Sequence, residues 1–255
     1  MHKLIANEVF KIFAQKKVYV FMAIIVLFSL LPAIEWALGS IDFTLNGQNL
    51  PLYMLATMNS IIPIFIIVTL GDLITDEYLS GTLKLPLLHG ASRTNLLTAK
   101  ILALIVPVTV LLSLGMMATY LIGTLLFGWG DQFIYNEMVY ATETGILSTL
   151  GSYITSILPL MSFAAVIMLI CLQFPSSGAA VATSIGILLL LSLAGQLVEN
   201  IRPYLIITYF HEFPNSLFFG KNGREIAWSL IVMFVYGVFS YLGSIYLFKK
   251  KDLLY

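Results

Sequence analysis

Residues 71–100 read GDLITDEYLSGTLKLPLLHGASRTNLLTAK, an island of charge between long apolar runs. It holds Asp72, Asp76, Glu77, Lys84, Arg93 and Lys100 in a chain where only 10% of residues are charged. A charge at the centre of a bilayer costs about 2.5–3.5 kcal/mol on insertion scales. Such a cluster therefore belongs where water or another protein meets it. Around the island, the 255 residues are 59% hydrophobic. The apolar excess gathers in stretches of about 20 residues, the length that crosses a hydrocarbon core roughly 30 Å thick.

These stretches predict an all-α integral membrane protein with six transmembrane helices in one domain. The spans run from about Val18 to Leu38, Leu52 to Ile74, Ile101 to Phe127, Thr144 to Leu172, Gly178 to Val198 and Ile226 to Phe248. No strand-like alternation competes with them, and a helix satisfies its own backbone hydrogen bonds in lipid. Residues 1–17 form an amphipathic N-terminal segment. Ile5, Val9, Ile12 and Phe13 share one helical face, and Lys3, Asn7, Lys11 and Gln15 the other, which predicts a helix lying in the membrane interface. The first span is too long, and its Ala37–Gly39 boundary too poor a cleavage site, for a signal peptide.

Basic residues orient the spans. Lys3, Lys11, Lys16, Lys17, Lys84, Arg93, Lys100, Lys249, Lys250 and Lys251 fall on one side. The other side has Arg202, Lys221 and Arg224 among acids such as Glu35, Asp42, Asp131, Glu137, Glu143 and Glu212. The positive-inside rule then places both termini and residues 75–99 in the cytoplasm.

Within the island, Ser80-Gly81-Thr82 reads as a helix break with capping chemistry. Leu83, Leu85, Leu87 and Leu88 surround Pro86 as an apolar knob, and Ser92 is placed to cap the next helix. A knob between turns suits insertion into the groove of a cytoplasmic partner, although a merely solvated loop has the same local chemistry.

The pattern Glu77-x-x-x-Gly81-Thr82, then Ser92-Arg93, then Lys100 at the start of the third span resembles the membrane subunit of type-2 ATP-binding-cassette (ABC) transporters. The resemblance extends to the six spans, the amphipathic N-terminal segment and the basic C-terminus. His89-Gly90-Ala91 departs from it where that family often has a proline. The resemblance implies that the segment between spans two and three is a coupling helix docking into an ATPase subunit. On that basis Leu83 to Leu88 form the docking knob, Glu77 and Arg93 bracket it, Gly81 and Thr82 supply the turn, and Lys100 anchors the third span. It further implies a bacterial plasma-membrane location, a second permease as homodimer or heterodimer, and ATP and Mg bound by the partner rather than by this chain. Export of an amphipathic or hydrophobic substrate, such as an antimicrobial peptide, lipid-like compound or drug, follows from the same resemblance.

The residues themselves exclude other roles. No G-x-x-x-x-G-K-[ST] phosphate loop occurs, so this chain is not the motor. The spans lack a nucleophile–base or paired-carboxylate constellation, so no enzyme is expected. His211 beside Glu212 is too few ligands for a metal site. One cysteine, Cys171, forms no intramolecular disulfide. No nucleic-acid partner is expected. Asn59 in the second span and Gln196 in the fifth are the candidate substrate-path residues, because polar side chains at membrane depth face protein or a cavity. Residues 201–224, rich in Tyr and Phe, resemble the external element of the same transporter family. The alternative is a membrane sensor or resistance partner in an ABC-like complex without flux.

Overall fold

The computed structural model describes residues 1–38, 45–82, 88, 90–135, 138–219 and 222–250. Six helices are long and apolar enough to cross a membrane: Lys16–Glu35, Leu50–Leu79, Arg93–Phe127, Thr142–Cys171, Ser177–Leu197 and Gly223–Lys250. They coincide with the six expected spans. Leu83, Leu85 and Leu87 of the expected knob lie outside the described residues. Leu88 is described and largely exposed.

The N-terminal segment forms α1 (His2–Ala14). Ile12 on its apolar face is fully buried, and Ile5, Val9 and Phe13 pack on the same core. The apolar stripe expected to meet lipid is thus largely used against protein, and Phe10 is its exposed large residue. The first span comprises α2 (Lys16–Phe28) and α3 (Leu31–Ala37). They part at Ser29, whose hydroxyl donates to the Ile25 carbonyl at 2.9 Å, a back-bond that bends helices.

The second span, α4 (Leu50–Leu70), is the most deeply buried and packs on spans three and four. It does not stop near Ile74. A π-helical turn, Gly71–Asp76, carries it into α5 (Glu77–Leu79). One extra residue per turn rotates everything beyond it by about 100° relative to an uninterrupted helix. Termination comes at the expected break. Gly81 adopts φ +70°, open to glycine without a Cβ penalty, and Ser80 and Thr82 both donate to the Glu77 carbonyl at 3.3 Å.

The third span, α6 (Arg93–Phe127), is capped by Ser92, whose Oγ accepts the Asn95 amide at 3.1 Å. Its 35 residues rise about 50 Å, so it extends well beyond a 30 Å hydrocarbon layer. A short antiparallel hairpin follows, β1 (Phe133–Tyr135) and β2 (Met138–Tyr140), an addition to the all-helical expectation. The fourth span is broken at Ser156 into α7 (Thr142–Thr155) and α8 (Ile157–Cys171). Then come α9 (Ser177–Leu197), a 3-10 turn (Glu199–Tyr204), α10 (Thr208–Ser216) and α11 (Gly223–Lys250). The region expected as an aromatic loop thus contains helical structure.

The hairpin is seated by a close approach. A Cβ on Gly145 would lie 2.2 Å from Phe133 Cγ, at the root of the buried ring, where the side chain cannot swing aside. Gly145→Ala is expected to lower the thermal unfolding midpoint of the detergent-solubilised protein, since overpacking costs about 1–3 kcal/mol. Gly178→Ala, with no atom within 4 Å of the added carbon, should leave the midpoint unchanged.

Candidate functional site

At the end of the molecule that carries α1 and the end of α11, four charged side chains close into a ring. Lys100 donates to Glu8 Oε2 and to Glu77 Oε2, each at 2.7 Å. Lys11 donates to Glu8 Oε1 at 2.7 Å and to Glu77 Oε1 at 2.9 Å. Each lysine bridges both glutamates, and each glutamate uses both oxygens. Lys100 is 0% and Glu8 1% exposed, whereas Glu77 keeps 15% and Lys11 32% of its side-chain surface.

Three segments meet in this ring. α1 brings Glu8 and Lys11, one turn apart. The π-helical turn delivers Glu77 from the extended second span. Lys100 stands two turns into α6. Beside it, Lys17 of α2 pairs with Asp72 of the π-helical turn, and Thr75 donates to the Cys171 carbonyl at 3.3 Å. The ring is formally neutral, which is how a buried charge persists at all.

The ring changes the expected roles. Glu77 pairs with Lys11 and Lys100, while Arg93 donates to the carbonyls of Phe248 and Lys249 at 3.0 and 2.9 Å. Arg93 therefore fastens the end of α11 to the start of α6, and Thr98 with Tyr241 adds a 2.6 Å hydroxyl contact between the same two helices. Lys100, near the start of the third span, is held by the pair of glutamates. Glu8 was missing from the sequence expectation. Its signal was position: it stands among Ile5, Val9 and Ile12, and a lone acid in an apolar stripe needs a buried partner.

The far end holds a cleft of about 570 Å³ that brings Asn59 and Gln196 together. Asn59, 1% exposed, donates to the Phe210 carbonyl at 2.7 Å and to Ser156 Oγ at 3.2 Å. Its Oδ1 has no partner among the described residues. Pro63, four residues on, offers no N–H to the Asn59 backbone carbonyl. Glu199, Arg202 and His211 stand at the cleft, and Arg202 is held by Glu212 at 2.8 Å. Desolvation lowers the His211 pKa, Glu212 opposing and Arg202 reinforcing the shift, so the imidazole is neutral at pH 7. Among the described residues, no group of three potential metal ligands occurs.

These features define an all-α protein of six membrane-length helices, locked by charge at one end and clefted at the other. The chain belongs to the DUF2705 family, described as a protein of unknown function, which matches residues 20–254. The matched region includes Glu77 and Lys100 and begins after Glu8 and Lys11. No curated protein matches the chain.

Removing one member of the ring leaves the others buried and unbalanced. Lys100→Met is expected to destabilise the fold by about 3–5 kcal/mol, read by thermal unfolding, and Glu8→Gln combined with Lys100→Met to recover much of that loss. Glu77→Gln should cost less, because Glu77 retains solvent access. Burial would pull the Lys11 ammonium down, but the hydrogen bonds it donates to Glu8 and Glu77 outweigh this and raise its pKa above the ordinary 10.5. Its contribution is therefore complete below pH 10.5 and lost as the pH climbs through the raised folded value. The thermal unfolding midpoint should fall over that alkaline range, and should fall less in Lys11→Met.

Proposed function

We propose that this chain is the membrane permease of an ATP-driven ABC exporter in a bacterial plasma membrane, with both termini cytoplasmic. The observation that carries the reading is the buried ring. It ties α1, the end of the second span and the start of the third into one rigid unit, and that unit holds both stems of segment 83–91. A push on this segment by a docked partner then moves two spans together rather than flexing a loop. Arg93 extends the unit to α11.

In this reading the apolar residues Leu83, Leu85, Leu87 and Leu88 dock into a separate nucleotide-binding ATPase, which holds ATP and Mg. Gly81 and Thr82 make the turn into the docking segment. Glu77 and Lys100 act inside the permease as positioning residues, not as contacts to the ATPase. A second permease, identical or related, completes the transporter, and the substrate is amphipathic or hydrophobic.

The test is affinity purification of the tagged chain from its native membrane in mild detergent, with partners identified by mass. A stoichiometric ATPase with a phosphate-binding loop is expected, lost in Leu87→Asp while that variant's unfolding midpoint stays unchanged. Purification without an ATPase would contradict the transporter reading. Retention of the ATPase by Leu87→Asp would contradict the docking role of the leucines.

A further inference from the structure

We infer that the cleft between α4, α9 and α10 is a binding site for amphipathic amines, held by their ammonium group at an acceptor-lined floor and by their alkyl chain along an apolar wall. The inference deepens the transporter reading by naming the ligand class, and rests on that reading only where it identifies the ligand with the cargo.

The polar part of the cleft holds two acceptors that no described donor answers, Asn59 Oδ1 and the Glu199 carboxylate. Asn59 is nearly inaccessible, its amide nitrogen is committed to Phe210 and Ser156, and its Oδ1 has no partner among the described residues. A buried acceptor without a donor costs about 1–3 kcal/mol, which an entering N–H would relieve. The backbone carbonyl of the same residue faces proline rather than an amide four residues on. Ser60 already donates its hydroxyl to the Ala56 carbonyl at 3.1 Å.

The charges agree. Glu199 opens on the cleft and has no ion pair among the described residues. Arg202 is the cation at the cleft, and Glu212 neutralises it. His211 adds no positive charge at neutral pH. Arg202 being matched by Glu212, Glu199 is the carboxylate of the lining left without an ion pair among the described residues. The other wall of the cleft, from Ile64, Leu188, Leu189 and Ile207, is aliphatic, with length for a short alkyl chain. An anion would meet Glu199 and find no unpaired cation among the described residues of the lining. A wholly apolar molecule would leave Asn59 Oδ1 unsatisfied.

Octylamine, octanoate and octanol are suitable probes, matched in chain length and differing in the head group. Calorimetric titration of the full chain in phosphatidylcholine nanodiscs, with empty nanodiscs as blank, is expected to give saturable binding of octylammonium at pH 7.5. Octanoate should bind at least tenfold more weakly, and octanol should fall between. Glu199→Gln, at an exposed position, should weaken octylammonium about threefold to fivefold, the range of an exposed ion pair. Asn59→Leu should weaken octylammonium and octanol alike, and the preference for the amine that remains should fall when Glu199→Gln is added. If Asn59→Leu fails to fold, Glu199→Gln alone decides. Equal binding of octanoate, no saturable amine binding, or an unchanged affinity in Glu199→Gln would overturn the assignment. Binding is read without an ATPase, so amine binding with no ATPase partner would remove the transporter reading and leave the site. An ATPase partner with no amine binding would do the reverse.

Discussion

Lys100 has no exposed surface, and the charged end of the molecule is organised around that constraint. A buried ammonium persists only when carboxylates replace its water. Two are supplied, Glu8 and Glu77, and Lys11 then balances the second negative charge. Meeting that requirement brings together chain segments distant in sequence. α1 must lie against α6 in one orientation, the second span must run on past its apolar stretch to reach Glu77, and α6 must begin well before its own. Replacing such a cluster with apolar residues is often neutral for stability. Its value here lies in register, because only one mutual placement of the three segments satisfies all four charges.

Much of this fold was legible because membrane crossing is a demand on composition. Runs near 20 apolar residues allow little but helices, and all six coincide with helices in the structure. The ends of the island were legible for a different reason. Capping is local chemistry, so Ser80-Gly81-Thr82 and Ser92 could be read without any tertiary information. The π-helical turn could not, since Gly71–Asp76 carries no residue that requires one. It is held from outside, by Lys17 on Asp72 and by Thr75 on the Cys171 carbonyl. The partner of Glu77 was equally hidden. Rotation past the π turn aims Glu77 at Lys11 and Lys100. The hairpin was missed because its three-residue strands are too short to show a period.

The far end presents the opposite economy. There the polar groups are incompletely matched among the described residues, with Asn59 Oδ1 unpartnered and Glu199 facing the cleft. Asn59 and Gln196 could be picked out because amides within apolar spans stand out against their neighbours. The groups that complete the cleft come from the 3-10 turn and α10, where the aromatic composition gave no hint of helices. One element joins the two ends. From Asn59 to Glu77 the second span rises about 27 Å, with the π-helical turn between them. In the transporter we propose, this span is the lever between cleft and ring, and the π-helical turn is where its two halves can adjust.

The central claim is that the ring makes α1 and the end of the second span a single rigid body. Pulsed electron-spin distance measurement between labels at the exposed positions His2 and Ser80, with Cys171 replaced by alanine, tests it most directly. A narrow, single distribution in the parent protein that broadens in Lys100→Met is the predicted result. A distribution already broad in the parent, or one that stays narrow when Lys100 is replaced, would contradict the account.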